Sequence, residues 1–439
     1  MAFELRKRCL VPRRFRLVTL LGLVTGCLAL FMSPTSAFAD PAFATLYPFC
    51  SVSNCADGSG PQSGAIRDPA GNLFGVTFGG GQYGGGAVYE LSAAGTERVL
   101  YSFCSYCADG LLPASTLVLD VNGDLYGTTT FSSGAGGGTV FELIPNARRT
   151  KWKFALLYAF CSQPSCIDGG LPIGGLTYQG AQSGALYDGA SPLYGATLYG
   201  GSGNDGVAYQ LAFGFGKKKP KEKVIHSFCS KTACSDGYSP NGGLTMDGGG
   251  NLYGVTSVGG GTNSGVVFRL SPKNNGFVET VLYDFCAAAN CADGQFPVGV
   301  PAMDANGNLF GTTQAGGAYG QGTVYKLAPH GRNSQESVLY SFCSGGGSCA
   351  DGYDPQGVIV DAAGDLFGTT LRGGANSQGT LFEVQRTTQT VLHSFCAPTD
   401  CSDGGSPTGG LIFDESGNLF GTTQTGGSNF AGTVYELTP

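Results

Sequence analysis

Seven times along the chain the phrase Phe-Cys, a few residues, Cys-x-Asp-Gly is followed by Gly-Asn-Leu-Phe/Tyr-Gly-x-Thr and then by Gly-Thr-Val-Tyr/Phe-x-Leu. A unit repeated at a fixed period cannot bury its apolar face alone and is stable only when stacked on its neighbours. The first cysteines, Cys50, Cys104, Cys161, Cys229, Cys286, Cys343 and Cys396, lie 54, 57, 68, 57, 57 and 53 residues apart, so only the third unit is long. Within a unit the apolar segments are short, rich in Val, Leu, Tyr, Phe and Thr, and bounded by Gly, Asp, Asn and Pro, which is a strand signal. In the unit from Val224 to Phe285 strands are expected at Gly243 to Asp247, Asn251 to Thr256, Gly265 to Leu270 and Thr280 to Phe285. Four antiparallel strands in each of seven units predict an all-β, seven-bladed propeller. Ala44 to Phe49 copies the outermost strand, while Thr433 to Leu437 copies the third, so a 3+1 closure by the N-terminal strand is expected. An open solenoid of hairpins is the rival, and it would want capping units.

Residues 1–39 read as a leader outside the fold. Arg6-Lys7-Arg8 and Arg13-Arg14-Phe15-Arg16 precede an apolar run from Leu17 to Met32 and then Ala37-Phe38-Ala39, the pattern of a signal peptide cleaved after Ala39. Val24-Thr25-Gly26-Cys27 also has the form of a lipobox, which would make Cys27 a lipidated terminus. A single propeller then spans 40–439, its repeats starting near 45, 99, 155, 224, 281, 338 and 391, with no second apolar stretch to anchor it. The expected location is secreted, periplasmic or cell surface. Without the leader, 18 basic residues stand against 30 acidic ones, a charge of −12, which repels nucleic acid and anionic membranes on average.

Sixteen cysteines in an exported chain point to disulfides. Beyond Cys9 and Cys27 they fall into seven local pairs, Cys50/Cys55, Cys104/Cys107, Cys161/Cys166, Cys229/Cys234, Cys286/Cys291, Cys343/Cys349 and Cys396/Cys401. Each bridge closes a loop of a few residues and is worth roughly 2 kcal/mol by chain entropy. Cys104-Ser-Tyr-Cys107 has redox-motif spacing but stands where its six sisters stand, so a structural bridge is expected there too.

The stretch Gly417 to Pro439, Gly-Asn-Leu-Phe-Gly-Thr-Thr followed by a Gly-Gly loop and Gly-Thr-Val-Tyr-Glu-Leu-Thr-Pro, resembles the GloVer tandem repeat of bacterial secreted proteins, and the likeness covers residues 44 to 439. The resemblance implies export and a repetitive β-architecture and brings no established activity or catalytic residue.

Three features are candidates for function. The aspartates of Cys-x-Asp-Gly (Asp57, Asp109, Asp168, Asp236, Asp293, Asp351 and Asp403) form a quasi-equivalent ring on one face. They read either as a cation or polyhydroxyl site near the channel mouth, or as caps of their own Asx-turns ahead of glycine. The Asp-x-x-Gly-Asn/Asp segments read as hairpin turns, and whether calcium binds is left open. On the opposite face, blade 2 carries a long loop, Asn146 to Lys153, and blade 3 a longer one, Phe213 to Lys223, together with a stretched hairpin from Gln179 to Ser191. The two loops hold Arg148, Arg149, Lys151, Lys153, Lys217, Lys218, Lys219, Lys221 and Lys223, half the basic side chains of the mature chain, and Trp152, the single tryptophan. Such a basic, aromatic-edged patch would dock an anionic envelope polymer, lipid headgroups or an acidic partner protein; solvated hairpin tips are the plain alternative.

Acid–base and nucleophilic chemistry have little to work with. His226 and His393 replace the outer-strand tyrosine, His330 stands in a turn, and no Ser-His-Asp or Cys-His grouping can be drawn. The expectation is a non-catalytic binding or surface-interaction module that needs no cofactor and meets an extracellular polysaccharide, envelope component or protein rather than nucleic acid. An enzyme acting on extracellular polysaccharide through two acidic residues is the alternative.

Overall fold

The computed structural model describes residues 41–132, 136–214, 218–330 and 333–438; the leader with Cys9 and Cys27, and Lys217, lie outside them. Seven antiparallel sheets follow one another around an axis as the blades of a β-propeller, and the only helical segments among the described residues are single 3-10 turns. Among the described residues no helix is long and apolar enough to cross a membrane.

Each blade runs from an inner strand at the axis to an outer strand at the rim. In blade 1 these are Ile66–Arg67, Leu73–Thr77, Gly84–Leu91 and Glu97–Cys104. The two middle strands are alike throughout; Leu73↔Leu91 to Thr77↔Ala87 and Leu419↔Leu437 to Thr423↔Thr433 are the same register. The strand Ala42–Pro48 pairs with Thr433–Thr438 as the outermost member of the last sheet.

The repeated motifs are the packing plan. Glycine in Leu-Phe/Tyr-Gly-x-Thr lies directly opposite the aromatic of the third strand. A Cβ on Gly75 would sit 2.4 Å from the Tyr89 hydroxyl, so only glycine lets the ring lie across the sheet. The phenylalanine of each Phe-Cys is fully buried and meets the third-strand aromatic of the next blade. The contacts are Phe49–Tyr89 at 5.0 Å, Phe103–Phe141 at 5.2 Å, Phe160–Tyr209 at 4.8 Å and so on to Phe395–Tyr435 at 5.2 Å. One aromatic contact therefore glues every seam, each worth about 1 kcal/mol beyond its buried area.

The inner strands differ from the sequence expectation. In blade 4 the inner segment is broken into Tyr238–Pro240 and Thr245–Met246, while the outer hairpin extends to Lys273↔Gly276. The break falls where backbones crowd the axis: a Cβ on Gly242 would meet the Gly299 carbonyl oxygen at 2.3 Å. Blades 5 to 7 keep long inner strands, Gln295–Met303, Tyr353–Val360 and Gly405–Phe413; blades 1 and 2 keep a two-residue strand and one separate bridge each, and blade 3 only two bridges, Gly170↔Tyr199 and Thr177↔Tyr194. The ring is thus regular on one side and irregular on the other.

Candidate functional site

All seven local disulfides are present: Cys50–Cys55, Cys104–Cys107, Cys161–Cys166, Cys229–Cys234, Cys286–Cys291, Cys343–Cys349 and Cys396–Cys401. They do more than close simple loops. In every pair but Cys104–Cys107 both cysteines take left-handed backbone, as at Cys161 (φ 59) and Cys166 (φ 51), Cys229 (φ 54) and Cys234 (φ 51), Cys286 (φ 61) and Cys291 (φ 52), and Cys343 (φ 68) and Cys349 (φ 47). That geometry folds each segment back on itself. Cys234 and Cys291 end 3-10 turns, Thr232–Cys234 and Ala289–Cys291, whereas the segment closed by Cys349 is one residue longer and has no such turn. The carbonyl of the second cysteine then accepts twice. Cys234 takes the N–H of Gly237 (2.8 Å) and Gly260 (3.0 Å), Cys291 that of Gly294 (2.9 Å) and Gly317 (2.9 Å), and Cys349 that of Gly352 (2.8 Å) and Gly374 (3.0 Å). The bridges therefore also pin the Gly-rich loops, a role that cysteine spacing alone does not state.

The aspartate that follows each bridge fills the concavity. Asp168, fully buried, accepts from the backbone N–H of Ser162 (2.9 Å) and Gln163 (3.3 Å), from the Ser162 hydroxyl (2.8 Å) and from the hydroxyl of Tyr158 on the outer strand (2.8 Å). The expected Asx-turn ahead of glycine is therefore replaced by a clamp that reaches backward across the bridge. Tyr47, Tyr101, Tyr283 and Tyr340 donate to Asp57, Asp109, Asp293 and Asp351 in the same way. His226 and His393 take the tyrosine's place beside Asp236 and Asp403, and burial outweighs the carboxylate to hold both imidazoles below their ordinary pKa. Burial, reinforced by the aspartate, pushes the Tyr340 hydroxyl up to about 12. His330 ends the third strand of blade 5, paired with Asn333, instead of standing in a turn.

The aspartates are turned into their own blades. Not one of the seven lines the axial cavity, and among the described residues no group of three or more His, Cys, Asp or Glu is placed to hold a metal.

At three seams a half-buried glutamate faces the clamp of the preceding blade. Burial, then the charge of the facing aspartate (Asp57, Asp168 and Asp293 in turn), raises Glu97, Glu222 and Glu336 to about 7 from an ordinary value of 4.5. These groups bind protons more tightly folded than unfolded. The stability they contribute is complete below about pH 4.5 and is lost as pH rises through 7. The melting temperature is expected to be on the order of 5 °C higher at pH 5 than at pH 8. Scanning calorimetry at the two pH values, repeated on Glu97→Gln/Glu222→Gln/Glu336→Gln, checks this, since the triple variant should flatten the difference.

On blade 2 the basic segment is a turn between Pro145 and Trp152 that holds Arg148, Arg149 and Lys151, whereas on blade 3 it is strand rather than loop. Pairing in blade 3 continues to Gly214↔Lys218, so Lys218, Lys219, Lys221 and Lys223 lie in the outer strand Lys218–Ser227. Strand alternation exposes Lys219, Lys221 and Lys223, as it does Lys153 on blade 2, and Arg148 and Lys151 are exposed at the turn. Trp152, between two lysines, is for that reason turned inward: it packs on the blade 1–2 core with its ring 6.5 Å from Phe74, so it does not edge the patch. Arg149 pairs with Asp68 of blade 1 at 3.3 Å, and its carbonyl accepts from Arg98. Lys223 donates to the Asn275 carbonyl of blade 4. Three of the expected contact residues thus serve seams between blades.

Sequence reasoning missed a cavity of about 750 Å³ on the axis, lined from all seven blades. Its wall is built by the residue after the repeated proline of each inner segment: Gln62, Ala114, Ile173, Asn241, Val298, Gln356 and Thr408. Polar side chains thus come from blades 1, 4, 6 and 7 and apolar ones from blades 2, 3 and 5. Gln314 and Gln424 at the ends of second strands add two more amides, and no ionisable side chain is among the lining residues. Behind the wall Asp354 accepts from Nε2 of both Gln314 (3.1 Å) and Gln356 (3.0 Å) and fixes their orientation. Towards the opposite face the blade 3 insertion joins the lining. Its 3-10 turn Ala181–Ser183 lies by the cavity, and Gln182 reaches the Met303 carbonyl of blade 5 at 3.4 Å. The signal was available where the repeats disagree, at the variable position of Pro-x-Gly/Ser.

The model of the Gloeobacter/Verrucomicrobia repeat matches residues 37–191, 179–350 and 280–439. No curated protein matches the chain. Among solved structures, the extracellular domain of a proposed hybrid two-component system from B. thetaiotaomicron is similar at 11% identity and a TM-score of 0.53, over 89% of this chain and 39% of that one. The PQQ-bound aldose sugar dehydrogenase of Streptomyces coelicolor is similar at 13% identity and a TM-score of 0.44, over 79% and 98%. The Trypanosoma rangeli sialidase in complex with the inhibitor DANA is similar at 9% and 0.42, over 90% and 59%. At these identities the likeness is one of fold alone.

Proposed function

The chain belongs to the Gloeobacter/Verrucomicrobia repeat family, and on the chemistry of its axis we propose that it is an exported, non-catalytic binding module that takes an uncharged, polyhydroxylated ligand, an extracellular polysaccharide, into the axial cavity. The observation that carries this reading is the lining. Amides and hydroxyls, among them Gln62, Asn241, Gln314, Gln356 and Thr408, offer both donors and acceptors, the form of recognition that suits sugar hydroxyls, and apolar residues such as Ile173 and Val298 can face a pyranose ring. Glycosidic cleavage would call for two carboxyl groups flanking the bond; the wall supplies amides, with Asp354 behind them occupied by Gln314 and Gln356.

A second reading keeps the basic strands of blades 2 and 3. Arg148, Lys151, Lys153, Lys219 and Lys221 remain exposed on a chain of net charge −7, and an anionic envelope polymer or acidic partner would meet them there.

Binding to neutral and anionic polysaccharides at low and high salt separates the two. We expect neutral chains to bind with little salt dependence and about tenfold more weakly to Asn241→Ala/Gln356→Ala, which removes two hydrogen-bonding amides. Lys151→Glu/Lys219→Glu/Lys221→Glu should leave that binding unchanged. Salt-sensitive binding of anionic chains alone, lost in the lysine variant, would replace the first reading with the second.

A further inference from the structure

The disulfide face is not chemically uniform. Over blades 7, 1 and 2 it presents four large aromatic side chains to solvent, Phe430 (70% exposed), Tyr83 (56%), Tyr106 (92%) and Phe131, while Tyr319 (52%) stands apart from them at the Tyr83 position of blade 5. The first two lie in the Gly-rich loops before third strands, Tyr106 lies in the short Cys104–Cys107 loop, and Phe131 closes the second strand of blade 2 through its bridge to Leu111. Hydrogen bonds tie the loops of Phe430, Tyr83 and Tyr106 to their neighbours. Asn429 donates to Ser51 between blade 7 and the first disulfide loop, and Ser105 donates to the carbonyl of Tyr83, joining blade 1 to the loop of Tyr106. The segments 50–56, 78–86, 104–107 and 425–432 contain no charged residue.

For Phe430 the backbone argues against a bulky side chain. Phe430 sits in the left-handed region at φ 57, where the corresponding loops of blades 3, 4 and 6 place Asn204 (φ 68), Asn263 (φ 59) and Ser377 (φ 61). A bulky residue in that region is an outlier that costs on the order of 1 kcal/mol or more. A strained, exposed aromatic in a series of small polar residues requires a reason outside the fold.

We propose that the uncharged aromatic arc of blades 7, 1 and 2 is a landing surface for a neutral polysaccharide chain, whose sugar rings lay their C–H faces on Phe430, Tyr83 and Tyr106 while its end enters the axial cavity. The absence of charge from these segments disfavours a polyanion or an acidic protein, which would meet no counter-charge here. Flat rings flanked by Ser, Asn and Gln match a pyranose, which has apolar faces and a hydroxylated edge. The Gly-rich loops are tied to the disulfide loops at the same level, as Gly81 N–H to the Cys55 carbonyl and Gly427 N–H to the Cys401 carbonyl, so the arc is braced.

This inference rests on the sugar-binding reading of the cavity, and the test separates them. Affinities of the oxidised protein are measured for long dextran, mannan and β-glucan chains and for the matching trisaccharides. The variants are Phe430→Asn, which copies Asn204 and Asn263, and Tyr83→Ala/Tyr106→Ala/Phe430→Asn. The expected result is a loss of about tenfold or more for the long chain that binds, with trisaccharide binding and melting temperature unchanged or, for Phe430→Asn, the latter slightly raised. Long-chain affinity equal to wild type in the triple variant, with trisaccharide binding intact, overturns the landing surface and leaves the cavity reading standing. Failure of every neutral sugar to bind the wild type removes both.

Discussion

Gly64→Ala should prevent the ring from forming. The added methyl carbon would lie 1.6 Å from the carbonyl oxygen of Gly410 and 2.5 Å from its carbon, atoms of the backbone of blade 7. Neither side can yield locally. The carbonyl of Ser63 accepts from Thr422 of blade 7 at 2.9 Å, and Gly60 N–H donates to the Ala431 carbonyl at 2.7 Å, so the seam between the last and first blades is stitched on both flanks of the clash. Relief requires opening that seam, with loss of the Phe49–Tyr89 contact and the cluster around it. The cost is above about 4 kcal/mol, the range reserved for backbone clashes in packed interiors. Gly214→Ala is the control, since its methyl group meets nothing within 4 Å. Urea denaturation monitored by far-ultraviolet dichroism should show the control close to wild type and Gly64→Ala unfolded or melting at far lower urea; equal midpoints would refute the close-approach argument.

Asp168→Ala carries the second largest expected effect. The carboxylate satisfies the N–H groups of Ser162 and Gln163 and the hydroxyls of Ser162 and Tyr158, and the N–H groups are aimed inward at it by a bridged loop. Truncation leaves four partly buried donors without their shared acceptor, at about 2 kcal/mol. Asp109→Ala should cost markedly less, because Asp109 is only partly buried and is held chiefly by the Tyr101 hydroxyl. Chemical denaturation of the two variants under oxidising conditions measures the gradient. Equal losses would mean that the carboxylates act through charge rather than through the donors they collect.

The fold was legible because the repeat states it seven times. A strand, a glycine opposite an aromatic and a Phe-Cys pair recur in step, so blade number and cysteine pairing follow from counting. The clamp was not legible in the same way. That Asp168 reaches back six residues depends on left-handed cysteines, and no local rule places Tyr158 within reach of it. Nor does spacing reveal that the carbonyls of Cys234, Cys291 and Cys349 hold glycines more than twenty residues further on. The basic patch was half legible: its charge is plain in the sequence, but which of its members the neighbours consume depends on strand alternation and on the next blade. Trp152 and Arg149 were read as available and are spent on blade 1. The axial cavity lay in the positions where the repeats depart from one another, which a reading that seeks agreement passes over.

Donor, acceptor and both cysteines of each clamp lie within a dozen consecutive residues, as in Tyr158 to Asp168, so a clamp never borrows a polar partner from a distant repeat. A gene duplication or deletion of one whole unit would carry its clamp intact. What such an event must renegotiate lies at the seam itself: one aromatic contact, the glycines at the axis and the cross-blade pairs of the kind Arg149 makes with Asp68. The architecture is therefore open to gain and loss of blades, with the costliest chemistry insulated from the change.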